Sequence, residues 1–224
     1  ASSGLNDDLN GVERPVAFDI NGVEDTAQVV HSLAKWKRFA LKRYQFQPGE
    51  GLYTDMNAIR RDEELDNLHS AYVDQWDWEK IISQEDRNKE YLKQTVRSIV
   101  GALADTQYFL RCVFPQLSVL PRLSQEVTFL TTQELEDLFP GLTPKEREDA
   151  FVKDHPTTFL MEIGGRLRSG APHDGRAPDY DDWTLNGDLL VWNPVLERAF
   201  ELSSMGIRVD PAALDRQLSL AGCD

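Results

Sequence analysis

Cysteine and basic residues are both scarce in this sequence. Cys112 and Cys223 are the only cysteines among 224 residues. They are too few for a disulfide framework and too irregular for a zinc site, so we interpret both as structural and expect a reducing compartment. Lysine and arginine together number 24 against 38 acidic residues, which gives a formal net charge of -14. Because nucleic acids carry negative phosphates, this balance predicts no nucleic-acid partner, and any bound anion requires a local basic site.

Long apolar runs and the usual signatures of covalent catalysis are missing as well. No run is long enough to span a bilayer and no apolar leader opens the sequence, so we expect a soluble, cytoplasmic protein without a membrane partner. There is no nucleophile-elbow serine and no glycine-rich phosphate loop, which disfavours a covalent mechanism. The four histidines lack the spacing of a metal site, and His155, which precedes a proline, is predicted to be structural.

The rest of the sequence has the composition of an ordinary globular protein, with 41% hydrophobic residues and no internal repeat. Strands are predicted at 16–20, 27–33, 52–60 and 70–79, from Val127, over TTFLMEIG, and as a final hairpin turning at Asn193–Pro194. Helices are predicted at 33–44, from a Ser83–Asp86 capping box to about 114, and after the capping signals at Thr131 and Thr143. This order predicts an α/β protein of the α+β kind, with a mainly antiparallel sheet covered by helices.

The segment LHSAYVDQWDWEK, residues 68–80, has the alternation of a strand with two different faces. Gln75, Asp77 and Glu79 point one way, and the aromatic residues among 72–78 point the other. Such a pattern is typical of an antiparallel strand with a solvated polar face and an aromatic face packed on the core. A polar face that forms the floor of a binding pocket fits the same pattern, so the alternation alone leaves both interpretations open.

Two carboxylates fall on the strands of the final hairpin. If an even-numbered loop closes at Asn193–Pro194, Asp188 faces Ala199, and Glu201 lies diagonally on the same face. Neighbouring carboxylates repel unless a cation joins them, and oxygen ligands suit Mg²⁺ held together with substrate phosphates. The alternative, equally compatible with the pattern, is that both side chains point to solvent.

Three cationic residues are candidates for anion binding. Lys37 lies in the apolar stripe of its predicted helix, where it either reaches water or meets an anion. Arg208 follows the small residues of ELSSMG, and its planar fork suits a carboxylate or phosphate. Arg60 ends a strand before a charged loop, where it could neutralise a phosphate. For both arginines, the commoner meaning is a solvated surface position.

The stretch IRRDEELDNLHSAYVDQWDWE is more specific. It resembles motif 2 of class II aminoacyl-tRNA synthetase catalytic domains, and together with VVHSLAKWKR, GEGLYTDMNAIR, RAPDYDDW and NGDLLVWNPVLERAFELSSMGIRVD it is similar to the ammonia-dependent asparagine synthetases. The resemblance runs from about Asp7 to Asp210 and implies a single catalytic domain over residues 1–224. The family's motif 1 and its glycine-rich motif 3 are absent, and the loop after Trp183 is shorter, so we expect that segments of a longer chain are missing.

The resemblance implies an ATP-dependent ligase. In such an enzyme ATP activates the β-carboxylate of L-aspartate as β-aspartyl adenylate with release of pyrophosphate, and ammonia then gives L-asparagine and AMP. It also implies Mg²⁺ as cofactor, with ATP as co-substrate, and a homodimer.

The resemblance further assigns roles to individual residues. The aspartate α-carboxylate is assigned to Lys37 and Arg208, and the α-ammonium group to Gln75 and Asp77. The remaining assignments are the α-phosphate to Arg60, Mg²⁺ to Asp188 and Glu201, ammonium at the reacting end to Asp7 and Asp181, and hydrogen bonding to substrate to Ser32 and Ser204.

Two other functions are compatible with this resemblance. An aspartyl- or asparaginyl-tRNA synthetase catalytic domain would be expected to have a basic tRNA-binding surface and an anticodon-binding barrel, and the acidic composition argues against both. A non-catalytic descendant that binds an amino acid or a protein would be expected to lose its charged pocket residues. These residues are all present, so the ligase is the preferred hypothesis.

Overall fold

A computed structural model describes residues 13–223 of the chain. The chain divides after Asp86 into two compact units. The expected α+β class is confirmed, with antiparallel strand pairs, one parallel pair and five α-helices among the described residues. The single catalytic domain expected over residues 1–224 stays a prediction.

The first unit contains two β-hairpins and one helix. Its elements are β1 Ala17–Phe18, β2 Ala27–Gln28, α1 Ala34–Arg43, β3 Gly51–Ile59 and β4 Tyr72–Lys80. The predicted limits of α1, β3 and β4 agree with the structure within two residues, whereas β1 and β2 are much shorter than expected. In the antiparallel β3–β4 pair, Thr54 lies opposite Asp77 and Asp55 lies opposite Trp76.

The faces of β4 are reversed relative to the expected packing. The aromatic side chains are exposed, with Tyr72 at 57%, Trp76 at 84% and Trp78 at 42%, so they do not anchor the strand against the core. The opposite face is covered instead: Glu79 is buried, and the buried Met56 lies directly opposite Gln75. The face of β4 that carries Gln75, Asp77 and Glu79 is therefore the less exposed face of this hairpin.

The second unit is built on a four-stranded sheet in the order β5-β6-β7-β8. Its elements are α2 Lys89–Val113, a 3₁₀ helix Pro115–Val119, β5 Thr128–Thr131, α3 Thr132–Leu138, α4 Pro144–Asp154, β6 Thr157–Met161, β7 Asp181–Asn193, β8 Arg198–Arg208 and α5 Pro211–Ala221. Strands β5 and β6 are parallel, and the other neighbours are antiparallel. None of the helices in the described ranges has the length and apolar character needed to cross a membrane.

Both faces of this sheet are covered, because successive side chains of a strand point to opposite sides. On one face, Phe159 and Leu189 pack with Val96 of α2. On the other, Leu160 and Leu190 pack with residues of α3 and α4. Even-numbered positions of β7 near Leu190 therefore face α3 and α4.

The helix starts were predicted with mixed success. Reciprocal capping boxes at Thr131 and Thr143 start α3 and α4 as expected. Ser83 and Asp86 also exchange hydrogen bonds, but α2 begins later, where the Asn88 side chain accepts a hydrogen bond from the Tyr91 backbone N–H. A local capping pattern can close a turn without starting a helix.

The register expected for the final hairpin is wrong. Asn193 pairs with Arg198, so the loop spans residues 194–197, and the Asn193 side chain accepts hydrogen bonds from two loop N–H groups. Asp188 lies opposite Ser204 rather than Ala199, and a register shift follows between Leu189 and Leu190. Since Glu201 lies opposite Leu190, two residues from Asp188, the two carboxylates still share one face.

Candidate active site

The first charged cluster contains Lys37 of α1 and Asp77 of β4. The Lys37 side chain has no exposed surface, and its ammonium group donates to Asp77 Oδ2 at 2.5 Å and to Thr54 Oγ1 at 3.1 Å. The lysine thus meets an anion instead of reaching water. Gln75 lies on the same face of β4 as Asp77, so the structure brings these three predicted residues of the first unit together.

Two further predicted residues of this unit have different local roles. Ser32 accepts a hydrogen bond from the Ala34 backbone N–H at 3.0 Å, next to the start of α1. Arg60 follows β3 and reaches Glu63 at 3.5 Å, while its Nε atom is buried and has no hydrogen-bond partner among the described residues. Arg60 therefore keeps donor capacity at this position.

The second cluster joins the ends of β7 and β8. Asp181 and Arg208 are in register and form an ion pair. The guanidinium of Arg208 also donates to the Tyr180 hydroxyl at 2.8 Å and lies 3.6 Å from the centre of the Tyr180 ring. Gly206 permits this close packing, because a Cβ atom there would lie 2.6 Å from Asp181 Cγ. Arg208 and Asp181 were assigned to different parts of the substrate, and the structure pairs them with each other.

The third cluster contains Asp188 and Glu201. Asp188 is 6% exposed; its Oδ2 accepts from Arg176 at 2.6 Å, whereas its Oδ1 is buried without a hydrogen-bond partner in the described residues. Ser204 lies directly opposite Asp188 on β8, and its hydroxyl lowers the pKa of the Asp188 carboxyl against the effect of burial.

The two carboxylates influence each other electrostatically. Burial, followed by the charge of Glu148, raises the pKa of Asp188 against the opposing effect of Arg176. Desolvation of its carboxyl group and the charge of Asp188 raise the pKa of Glu201 to about 7. Much of the Glu201 residue is nevertheless exposed. Burial is the largest cause of both shifts, and the charge of Asp188 adds to the shift of Glu201.

Asp188 and Glu201 fit the kind of Mg²⁺ site in which the protein supplies only one or two carboxylates. No group of three or more His, Cys, Asp or Glu residues suited to a metal occurs in the described part of the chain. Mg²⁺, however, is commonly held by one or two carboxylates and completed by water and phosphates. The unpartnered oxygen of Asp188 and the nearby Glu201 carboxyl meet this requirement.

Several outcomes concern residues outside these clusters. Asp7 lies outside the described residues. Cys112 and Cys223 are exposed thiols, so neither packs in a core. His155 follows α4 and stacks on Phe151, with ring centres 4.3 Å apart, and its structural role stays a prediction.

Sequence reasoning missed Arg176 and Tyr180. Both lie in RAPDYDDW, a segment that carries the family resemblance but from which the sequence analysis predicts only Asp181 as a site residue. An arginine in a polar loop rich in proline and glycine has no periodic signal, because its partner Asp188 is 12 residues away on β7.

Solved structures define the class of fold. The chain matches Entamoeba histolytica asparaginyl-tRNA synthetase with a TM-score of 0.56 and 12% identity, covering 93% of this chain and 48% of that one. A second structure of the same synthetase gives a TM-score of 0.57 over the same shares of the two chains. The fold is therefore that of a class II aminoacyl-tRNA synthetase catalytic domain.

Sequence comparison defines the family. The family model described as aspartate–ammonia ligase matches residues 1–224. The Clostridium tetani aspartate–ammonia ligase is 65% identical over 223 residues, 99% of this chain and 64% of the relative. The Lactobacillus johnsonii aspartate–ammonia ligase is 61% identical over 98% of this chain and 66% of its own length. The chain belongs to the aspartate–ammonia ligase family, and it spans about two thirds of the length of these relatives.

Proposed function

We propose that this protein is an ATP-dependent ligase that makes L-asparagine from L-aspartate and ammonia. A β-carboxylate oxygen of aspartate attacks the α-phosphorus of ATP, and the bond to pyrophosphate breaks. Ammonia then attacks the acyl carbon of β-aspartyl adenylate, loses a proton, and displaces AMP. The observation that carries the proposal is family membership over the whole chain, at 60 to 65% identity to aspartate–ammonia ligases of Clostridium.

The first unit would bind the amino-acid substrate and one phosphate. Asp77 and Gln75 would accept hydrogen bonds from the α-ammonium group of aspartate, and Lys37 would attract its α-carboxylate. The pairing of Lys37 with Asp77 supports this, because a zwitterion presents both of the complementary charges. Arg60, whose Nε has no partner among the described residues, would stabilise the growing charge on the α-phosphate, while Ser32 would donate to substrate.

The second unit would bind the α-carboxylate and the metal–nucleotide. Arg208, held over the Tyr180 ring, would present its fork to the α-carboxylate, with Asp181 orienting it and attracting ammonium. Asp188 and Glu201 would hold Mg²⁺, which neutralises phosphate charge when ATP is bound. Ser204 would act by positioning Asp188. Asp7 is proposed for ammonium binding on the resemblance alone.

The direct test is a reaction with the purified chain, ATP, aspartate, ammonium and Mg²⁺. AMP and pyrophosphate are followed by ³¹P NMR and asparagine by amino-acid chromatography, and we expect the three products in equal amounts. Pyrophosphate exchange into ATP with aspartate alone tests the first step separately. A folded sample that forms no AMP would refute the ligase, and transfer of asparagine or aspartate to tRNA would support the synthetase alternative.

The proposal extends to assembly and location. A homodimer and a cytoplasmic setting follow from the family resemblance and from the composition, as does the absence of nucleic-acid and membrane partners. Sedimentation equilibrium of the purified chain tests the dimer: a single mass near the 25.5 kDa of the chain would contradict it.

A further inference from the structure

Arg176 occupies the place of a cation beside Asp188. It lies in the loop between β6 and β7, and its side chain is 21% exposed. Its guanidinium donates to Asp188 Oδ2 at 2.6 Å, to Asp174 Oδ2 at 2.6 Å and to the Gly175 carbonyl at 2.9 Å. Two of these acceptors lie on its own loop, so the guanidinium keeps hydrogen-bond partners when it gives up Asp188.

The same carboxylate that pairs with Arg176 retains an unused acceptor. Asp188 is more than nine-tenths buried, and its Oδ1 has no hydrogen-bond partner among the described residues. The nearby charged groups are the carboxylates of Glu201 and Glu148 and the ammonium group of Lys145. Arg176 alone of the basic groups donates a hydrogen bond to Asp188 within the described ranges, so a divalent cation binding here must compete with it.

We propose that Arg176 is an exchangeable counter-cation that gives Asp188 up to an incoming metal–nucleotide and then binds a phosphate oxygen. The nucleotide part of this inference rests on the proposed function, whereas the competition between Arg176 and a divalent cation does not. A bare cation has to displace the arginine without compensation. A cation that arrives with a polyphosphate supplies the guanidinium with a new anionic partner of suitable geometry. Arg176 thus favours binding of metal and nucleotide together over binding of the metal alone.

The test measures two ligands on the intact 224-residue chain. Mn²⁺ alone is titrated and its unbound fraction is read by electron paramagnetic resonance; the non-hydrolysable ATP analogue AMPPNP is titrated with Mg²⁺ by calorimetry. In Arg176→Gln, we expect about tenfold tighter Mn²⁺ binding and about tenfold weaker AMPPNP binding, a factor that corresponds to one charge-assisted hydrogen bond. The Mn²⁺ gain should disappear when Asp188→Asn is added.

Arg168→Gln is the matched control, because Arg168 lies on the same loop and pairs with Asp137 while 74% of its side chain is exposed. It should change neither affinity. Unchanged or weaker Mn²⁺ binding by a folded Arg176→Gln chain would overturn the competition, and unchanged AMPPNP binding would overturn the phosphate role. If Arg176→Gln does not fold, Arg176→Lys keeps the charge and loses the fork; parent-like AMPPNP binding by that variant would also overturn the phosphate role.

The result is separable from the fate of the ligase proposal. A chain that forms no AMP, but in which Arg176→Gln tightens Mn²⁺ binding, would refute the ligase and retain the competition at Asp188. If the chain makes asparagine but the Arg176 variants bind both ligands like the parent, the ligase proposal is retained and the competition at Asp188 is refuted.

Discussion

Lys37 Nζ and Asp77 Oδ2 are 2.5 Å apart, and the lysine side chain has no exposed surface while that of Asp77 is 25% exposed. Helix α1 and strand β4 are therefore joined by an ion pair whose lysine is fully buried and whose aspartate is partly exposed to solvent. Such an arrangement stabilises the hairpin and leaves one carboxylate accessible to a ligand. Thr54 supplies a second acceptor for the lysine.

Removal of the Asp77 carboxylate should destabilise the first unit. Asp77→Ala leaves the buried Lys37 charge with Thr54 as its hydrogen-bond partner among the described residues, so we expect a loss of about 2 kcal/mol in the free energy of unfolding, measured in urea. Asp74→Asn, on the exposed face of the same strand, should cost less than about 0.5 kcal/mol. Equal losses in the two variants would contradict the structural role of the pair.

The reversed faces of β4 lead to a second prediction. Trp76→Ser should change the free energy of unfolding by less than about 0.5 kcal/mol, because 84% of Trp76 is exposed. Met56→Ala should cost about 2 kcal/mol, because Met56 is only 6% exposed. Urea unfolding of both variants measures the difference, and a larger loss in the tryptophan variant would show that the aromatic face is covered in solution.

Gly206 should be required for the geometry of Asp181 and Arg208. The added Cβ of Gly206→Ala would lie 2.6 Å from Asp181 Cγ and 2.8 Å from Asn186 Cβ, so the variant should lose about 1–3 kcal/mol of stability. Aspartate-dependent pyrophosphate exchange should fall with it. Gly165→Ala, where nothing lies within 4 Å of the new Cβ, is the control. A parent-like Gly206→Ala chain would show that the strands can separate locally at no cost.

Acid should destabilise the second unit through carboxylates that the fold keeps ionised. Burial alone would raise the pKa of Asp182, but hydrogen bonds from Thr184 and Arg87 outweigh it and lower that pKa. Hydrogen bonds from Thr131 likewise lower the pKa of Glu134. The two carboxylates contribute fully to the free energy of unfolding above their pKa values in the unfolded chain, about 4. This contribution is lost as pH falls through their lower pKa values in the folded chain. Urea midpoints from pH 6 to pH 3 should therefore decline.

The Asp182→Asn variant identifies the group responsible for part of this decline. It should show a shallower dependence below pH 4 than the parent, whereas the exposed Asp154→Asn variant should follow the parent curve. Parallel curves for the parent and Asp182→Asn would remove Asp182 from the explanation.

Arg60 should act on the activation step. Arg60→Ala should slow aspartate-dependent pyrophosphate exchange by about 100-fold, because an anion-stabilising donor acts most strongly where charge grows in the transition state. The effect should fall mainly on kcat. Arg61→Ala, at the exposed neighbouring position, should exchange pyrophosphate at close to the parent rate. Equal rates for the two variants would place Arg60 outside the reaction.

Much of the local structure follows from short-range signals. The capping boxes at Thr131 and Thr143 depend on residues three positions apart, and they start α3 and α4 as predicted. The limits of α1, β3 and β4 follow from periodicities that a dozen residues suffice to define. The family resemblance added candidate residues that no periodicity indicates, including Asp7, Asp181 and Ser32, whose substrate roles stay predictions.

Long-range pairing was the part that local signals left undetermined. Alternation along β4 separates polar from aromatic residues, but it does not state which face is covered, and the structure exposes Trp76. The hairpin register depends on how Asn193 holds its four-residue loop and on the shift after Leu189. Arg176 meets Asp188 across a separation of 12 residues, which no local pattern indicates.

The amino-acid sequence by itself determined the family, the α+β class, most helix and strand limits, and the set of charged residues available for chemistry. These properties depend on residue identity and on spacings of a few positions. Tertiary structure alone decided three ion pairs. They are Lys37 with Asp77, Arg208 with Asp181, and Arg176 with Asp188. Such pairs join residues distant in the chain, and their geometry depends on packing and strand register rather than on any local pattern.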